Sequence, residues 1–391
     1  MEFPAFRRAA IKKLMEEKKL DLLIASLPTN VYYLSGYQSI GHNMLNRIQV
    51  YALYPRSGDS LALVIPYAEI PSAQEQVADP AIYPYGNFVF SFGKSEDRDY
   101  FQKDLQGAFP SPGEALLGAI KGTVKKGVIG FDESRVPPQI WKDIESLPEF
   151  KVVPASDYFG EARMVKHPEE ISRLERAAEI AETAMHSLFK NLRRGMSEIE
   201  MGQFFMQEVT AMDAEPFFNV FTIDERSPLV DTINTKKSVR EGSIIRIDAG
   251  CVYKKYRSDM ARTAVVGEAP PKLKKYYDAI LAGEEEAMSR MEPGRTAEEI
   301  FNIAVQEVRK GIPHFDRHHC GHGIGLEVYD PPLIAPGIKQ ELLPGMVFCV
   351  ETPYYELGWG GIQVEDPVEI TPSGNRILTK GSRRLFEVEL V

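Results

Sequence analysis

Three cysteines in 391 residues, Cys251, Cys320 and Cys349, form an odd, sparse set with no paired spacing. Such a set argues against a disulfide framework and fits a reducing compartment. Long apolar runs are missing too: no stretch approaches the roughly twenty consecutive apolar residues that a membrane-spanning helix requires. The start, Met1-Glu-Phe-Pro-Ala-Phe-Arg-Arg8, is charged and is followed by no apolar run of signal-peptide length, so a cytoplasmic location is expected. Excess positive charge is absent as well. A formal net charge of −10 disfavours nucleic acid or an anionic membrane as the main partner, since either needs a basic face. There is no low-complexity tract, and the length exceeds what one hydrophobic core usually serves, so two domains are expected.

The first part reads as an α/β domain. Residues 6–18 follow a helical period, and Asp21–Leu27 looks like a buried strand. Further strands are expected at Val50–Tyr54, Leu61–Ile65 and Gly127–Gly130, with a helix from Pro137 to Ser146. The triplet Gly93-Lys94-Ser95 lacks the upstream glycine and strand-to-helix context of a phosphate loop and is not read as one. Pro168 then opens a long amphipathic helix, with Ile171, Leu174, Ala178, Ala181, Met185 and Leu188 on one face. Helices are also expected at 197–211, 271–290 and 296–310.

What is present in quantity beyond this point is paired acid. Ile244 to Val266 contains two strand-like runs joined by a short polar connection, and a turn centred on Tyr253-Lys254 sets Asp248 opposite Asp259. Directly opposed residues share a face about 5 Å apart, where like charges repel. A divalent cation between them relieves that repulsion, and strands hold the required geometry well. Taken alone, the hairpin is equally well read as two solvated aspartates. The pattern recurs, however. Met346 to Glu351, followed by Ile362 to Glu365, forms a second hairpin which, centred on Gly358, sets Glu351 opposite Glu365. Gly242 and Gly345 each stand six residues before the first acid. Upstream, Gly195-Met-Ser197-Glu-Ile-Glu200 echoes Gly294-Arg-Thr296-Ala-Glu-Glu299, two helix starts with a hydroxyl in capping position. The order of helix, helix and carboxylate hairpin therefore occurs twice, as an internal duplication does. Folded about a pseudo-twofold axis, the two hairpins bring four carboxylates together, enough to balance two divalent cations. His322, set in Gly321-His-Gly-Ile-Gly325 between the hairpins, offers a fifth ligand, because the flanking glycines allow close backbone approach. Cys251 and Cys349 are not needed as ligands and are expected to pack as small hydrophobes.

Asp248, Asp259, His322, Glu351 and Glu365, in that order and spacing, resemble the five metal ligands of the pita-bread metallopeptidases: methionine aminopeptidase, aminopeptidase P and prolidase, with creatinase as a relative. The surrounding Ile-Asp-Ala-Gly, Ser-Asp-Met-Ala-Arg-Thr, Gly-His-Gly-Ile-Gly-Leu-Glu and Gly-Gly-Ile-Gln-Val-Glu-Asp are similar as well. So is Asn30-Val-Tyr-Tyr-Leu-Ser-Gly36, which resembles the Asn-x-x-Tyr-Leu-Thr-Gly phrase of the prolidase amino-terminal domain. The resemblance implies a creatinase/prolidase-like α/β domain over residues 1–155. After it, over 156–391, comes an α+β pita-bread catalytic domain with internal pseudo-twofold duplication. It implies two divalent ions, drawn from Mn, Co, Fe or Zn, with Asp248 chelating one, Asp259 and Glu365 bridging both, and His322 with Glu351 completing the second. Water held between the ions is acidified to hydroxide, and Glu351 shuttles its proton to the leaving nitrogen.

Three departures bear on the substrate. Asp231 stands where the family has a histidine seventeen residues before the first aspartate, and Tyr329 where another follows the Gly-His-Gly ligand by seven. Each imidazole helps bind the substrate carbonyl or the tetrahedral intermediate, worth about 10²-fold or more. Gln363 stands where many members carry arginine. Tyr329 is read as an oxyanion donor or a pocket-lining residue, and Asp231 as a contact to a cationic substrate group or a surface residue. His318 matches a family histidine near the metal, with a supporting or substrate-binding role, while His319 is read as incidental. His42 is a candidate to enter a neighbouring subunit's site if the chain dimerises as its relatives do. The expected activity is hydrolysis of Xaa-Pro dipeptides or short Xaa-Pro peptides by a homodimer. The alternatives are hydrolysis of a small nitrogenous metabolite, as in creatinase or the ectoine hydrolases, and a silent binding protein of the same fold.

Overall fold

The computed structural model describes residues 3–58, 60–91, 93 and 107–391, so Lys94 and Ser95 of the rejected phosphate-loop triplet lie outside the described residues. The chain divides into two compact units, Met1–Ala162 and Arg163–Val391. The division falls near the end of helix Ser156–Arg163, whereas the sequence reading put it at the start of that helix. The helix belongs with the first unit because the Tyr33 hydroxyl donates to Ala162 O at 2.9 Å and Phe159 is buried there.

The first unit is built on a six-stranded mixed sheet in the order Ala81–Tyr85, Ala62–Pro66, Tyr51–Pro55, Leu22–Ala25, Gly127–Phe131, Phe150–Pro154. Leu22–Ala25 is buried at all four positions, as a strand covered on both faces must be. Helix Pro112–Thr123, not anticipated from the sequence, lays Leu116 and Ile120 on a core with Leu53, Val64 and Phe131. The Asn-x-x-Tyr phrase forms helix Pro28–Ser35, closed by Gly36 at φ 80°. Asp132 Oδ2 holds its start, accepting from the amides of Ser26 (3.0 Å) and Leu27 (2.8 Å) and from Asn30 Nδ2 (2.8 Å). His42 is 1% exposed in this unit, so its ring is not presented for a neighbour's site as the sequence reading allowed.

The second unit carries a ten-stranded sheet with the path Asp330–Leu333, Gly321–Gly323, Val347–Glu351, Glu365–Thr371, Met260–Val266, Ile244–Tyr253, Glu215–Ile223. The duplication shows in its layers. Helices Pro168–Lys190 and Glu198–Ala211 pack Leu188, Met201 and Phe205 on the first half's strands. Helices Pro271–Ser289 and Ala297–Gly311 pack Ile280, Ile300 and Val308 on the second half's. Ser197 with Glu200 and Thr296 with Glu299 both close full capping boxes, each satisfying orphan amides at a helix start. Gly242 and Gly345 both adopt left-handed φ, 77° and 89°. Along the sheet path the halves meet where Ala261 pairs with Glu365, and the C-terminal strand Phe386–Val388 returns to pair with Met260–Val266 as well. No described helix is long and apolar enough to cross a membrane.

Candidate metal centre

The second hairpin has the register read from its sequence, with Glu351 paired to Glu365. The first does not. Tyr253 pairs with Tyr256, so the turn is centred on Lys254-Lys255, and Asp248 pairs with Ala261 rather than Asp259. Both lysines take positive φ, 45° and 75°, the conformation of a tight two-residue hairpin turn. A one-residue slip of the turn moves the pairing by two, and strand alternation has period two. Asp259 therefore stays on the face of Asp248 but lies diagonal to it.

His322 enters from strand Gly321–Gly323, where the close approach read from its flanking glycines is present. A Cβ at Gly321 would lie 2.2 Å from Cys349 O, and one at Gly323 would lie 2.6 Å from Asp330 O. Its Nε2 lies 3.5 Å from Asp259 Oδ2 and 3.7 Å from Glu365 Oε1. Asp259, His322 and Glu365 each offer a ligand atom within 4.8 Å of the others, the one such group found among the described residues. Glu351 and Asp248 complete the ring of acids around the same cavity, of about 900 Å³.

This donor set fits a divalent cation. Asp259 Oδ1 and Glu365 Oε1 are buried without a hydrogen-bond partner, an arrangement that costs free energy until something positive satisfies it. Burial and the charge of Asp259 push the Asp248 carboxyl up to about 7. Burial, then Asp259 and Glu351, raises Glu365 well above the carboxylate range, and burial raises Glu351. For His322, burial opposes the charge, but Asp259 and Glu365 outweigh it and lift the imidazole well above its usual value. A proton on His322 thus takes the place that a metal fills, since imidazole ligates in its neutral form.

Gln363 is buried among these acids. Its Oε1 accepts from Arg246 Nη1 at 2.8 Å and from the Tyr355 hydroxyl at 3.2 Å. With Oε1 so engaged, Nε2 faces Glu365 Oε2 at 3.2 Å and Glu351 Oε2 at 3.4 Å, and donates to both. Tyr329 is 54% exposed and stacks on His322, ring centroids 3.8 Å apart at 20°. Asp231 and His318 both line the cavity; Asp231 is exposed at φ 51°.

Sequence reasoning missed four residues. His319, read as incidental, is buried with Nδ1 3.3 Å from Glu351 Oε1, while that same Nδ1 accepts from the Gly321 amide at 3.3 Å. Burial and Arg317 push its ring down to about 3, so two acceptors face each other there and need a proton or cation between them. Arg246 reaches Asp248 Oδ2 at 3.3 Å, Arg317 reaches Glu351 Oε2 at 3.8 Å, and Tyr355 lies under both guanidinium groups. Arg246 was findable, since residues two apart on a strand share a face. Nothing local in the sequence marked Arg317 or Tyr355.

The fold and this site belong to a class that comparison identifies. Residues 172–372 match metallopeptidase family M24, and residues 7–165 match the creatinase/prolidase N-terminal domain. The chain belongs to family M24 and is a metal-dependent hydrolase. It is 28% identical to the Xaa-Pro dipeptidase of Pyrococcus furiosus over 383 residues, 97% of this chain and 99% of that one. The solved prolidase of Pyrococcus horikoshii OT3 is 28% identical with a TM-score of 0.77, covering 97% of this chain and 99% of that one. The prolidase of Thermococcus sibiricus, at 24% identity, shares the fold with a TM-score of 0.84 over 99% of this chain and all of that one.

Proposed function

We propose that this chain hydrolyses Xaa-Pro dipeptides or short Xaa-Pro peptides at a dinuclear centre, acting in the cytoplasm as a homodimer. The observation that carries the reading is the clustering of Asp259, His322 and Glu365, with Asp248 and Glu351 beside them on the wall of one cavity of about 900 Å³. Asp248, Asp259, His322, Glu351 and Glu365 would hold the ions. When bound, the ions (Mn, Co, Fe or Zn) would polarise the scissile carbonyl and acidify a water molecule. Glu351 takes the water's proton and delivers it to the leaving nitrogen, a role suited to a buried carboxyl whose proton affinity burial raises. Gln363 fixes Glu351 and Glu365 relative to one another through its amide. Tyr329, held against His322, donates to the developing oxyanion in place of an imidazole. Asp231 and His318 contact the substrate from the cavity wall, beside Phe217, Phe218 and Val230, whose apolar surfaces suit a pyrrolidine ring.

A second reading, hydrolysis of a small nitrogenous metabolite, is favoured by the acid at Asp231, which suits a cationic group. The net charge of −10 again speaks against nucleic acid. A panel of Gly-Pro, Leu-Pro, cyclic amides and guanidino compounds with added manganese or cobalt separates the readings. Turnover of Gly-Pro or Leu-Pro that Asp259→Asn abolishes supports the first. Turnover confined to the cyclic amides or guanidino compounds replaces it with the second, and no turnover with no metal bound leaves a silent binding protein.

A further inference from the structure

The Tyr329 hydroxyl makes no hydrogen bond among the described residues, and its ring rests against those of His319 and His322. Where that hydroxyl points is therefore set by the backbone on either side of it. The strand that follows, Asp330–Leu333, is poorly held by ladder bonds: Pro331 and Pro332 carry no amide hydrogen, and the register against Gly321–Gly323 shifts between His322 and Gly323. The loop before it is tied by Arg257 Nη1 to Glu327 Oε2 at 2.7 Å, but both side chains are partly exposed, and pairs open to water contribute little. Asp330 is different. Its side chain is wholly buried, with Oδ1 accepting from Arg163 Nε at 3.0 Å and lying 3.0 Å from Arg163 Nη2. Its Oδ2 is pressed under the loop that carries His322, where a Cβ on Gly325 would lie 2.5 Å from it. Burying two charges costs desolvation that their attraction does little more than offset, so such a pair contributes one defined position more than it contributes stability. The position defined here is that of the residue next to Tyr329.

We propose that Arg163, the first residue of the second unit, is a positioning residue for the reaction: through Asp330 it fixes the backbone that aims the Tyr329 hydroxyl into the cavity. Arg163 is not among the residues that line the cavity, so its influence on the reaction runs through Tyr329. A planar guanidinium that presents two donors to one carboxylate fixes orientation as well as distance, which a lysine ammonium does not. The inference rests on the reading of Tyr329 as an oxyanion donor and deepens it.

The test is a double-mutant cycle in full-length protein with added Mn²⁺, run on whichever compound of the panel above is turned over. Arg163→Gln is expected to lower kcat about tenfold with KM changed less than about twofold, as Tyr329→Phe does, because a misaimed donor fails in the transition state. In the Tyr329→Phe background the same change should cost less than about twofold more, since residues that act as one unit are not additive. Mn²⁺ affinity measured by calorimetry should stay within about twofold of wild type, whereas a purely structural role would loosen the His322 strand and weaken it. If Arg163→Gln fails to fold, as circular dichroism will show, Arg163→Lys runs the same cycle with an expected loss of about threefold. Full kcat in the folded Arg163 variant overturns the proposal, as do losses that add to that of Tyr329→Phe, a weakened Mn²⁺ affinity, or the failure of both variants to fold. Additive losses remove this proposal alone. Undiminished kcat in Tyr329→Phe removes the donor reading and this proposal with it, and a wild type that turns over no compound removes the hydrolase reading and both.

Discussion

The two halves of the second unit are the same device built twice, and they differ where the chemistry is. Each starts a helix with a capping box, turns at a left-handed glycine and raises an acid six residues later. In the second half the acids Glu351 and Glu365 are directly paired, and Cys349, two residues before the first of them, is a buried hydrophobe. In the first half Asp248 and Asp259 are diagonal, and the position two before the first acid holds Arg246. The imidazole comes only with the second half. A duplicated frame thus keeps the backbone that aims carboxylates, while single side chains decide how much charge each side carries.

The comparison breaks most sharply at the shared acids. Asp259→Asn is expected to cut kcat by about 10³-fold or more, because it damages both sides of the centre. Asp248→Asn, confined to one side, should cost about 10²-fold, and steady-state kinetics on Gly-Pro with saturating Mn²⁺ compares them. Tyr329→Phe should lower kcat by about tenfold with little change in KM, since an oxyanion donor acts in the transition state. A KM effect alone would reduce Tyr329 to a pocket wall.

Charge on the first side also sets a pH dependence. With its folded value moved from 3.8 up to about 7, Asp248 binds more protons in the metal-free folded chain than in the unfolded one. Its contribution therefore lowers stability as pH rises through that window. Chelator-treated protein should lose Tm between about pH 4 and 7, Asp248→Asn should flatten the slope, and Mn²⁺ should restore Tm at neutral pH. A rising Tm in the metal-free protein would contradict it. The smallest effect concerns the glycines. Gly242→Ala meets nothing within 4 Å and should cost about 1 kcal/mol for its left-handed φ alone. Gly345→Ala also meets Val165 Cγ1 at 3.0 Å and Lys166 O at 3.1 Å, and should cost roughly twice that in urea denaturation.

Much of this architecture was legible because acids at matched distances from turn residues are a strong pattern. The residues that converge were named from spacing, and the second register followed from Gly358. The first register was missed because Lys254 and Lys255 adopt positive φ without the glycine or asparagine that usually marks such a turn. His319 was passed over because nothing in a His-His pair says which ring turns inward. Arg317 and Tyr355 come from connecting segments whose placement depends on tertiary contacts, so sequence periodicity is silent about them.

A carboxylate clamp stiffens one wall of the cavity. Glu198, in the first turn of helix Glu198–Ala211, accepts from Ile223 N (3.0 Å), Arg226 Nε (3.0 Å), Thr235 N (2.8 Å) and Thr235 Oγ1 (2.7 Å). The segment carrying Val230, Asp231 and Ile233 is thereby bolted to a helix start, and it cannot recede without unravelling that turn. Selection by shape belongs to this stiff wall, whereas Tyr329, also on the cavity lining, is held among the described residues by ring contacts with His319 and His322 and by no hydrogen bond.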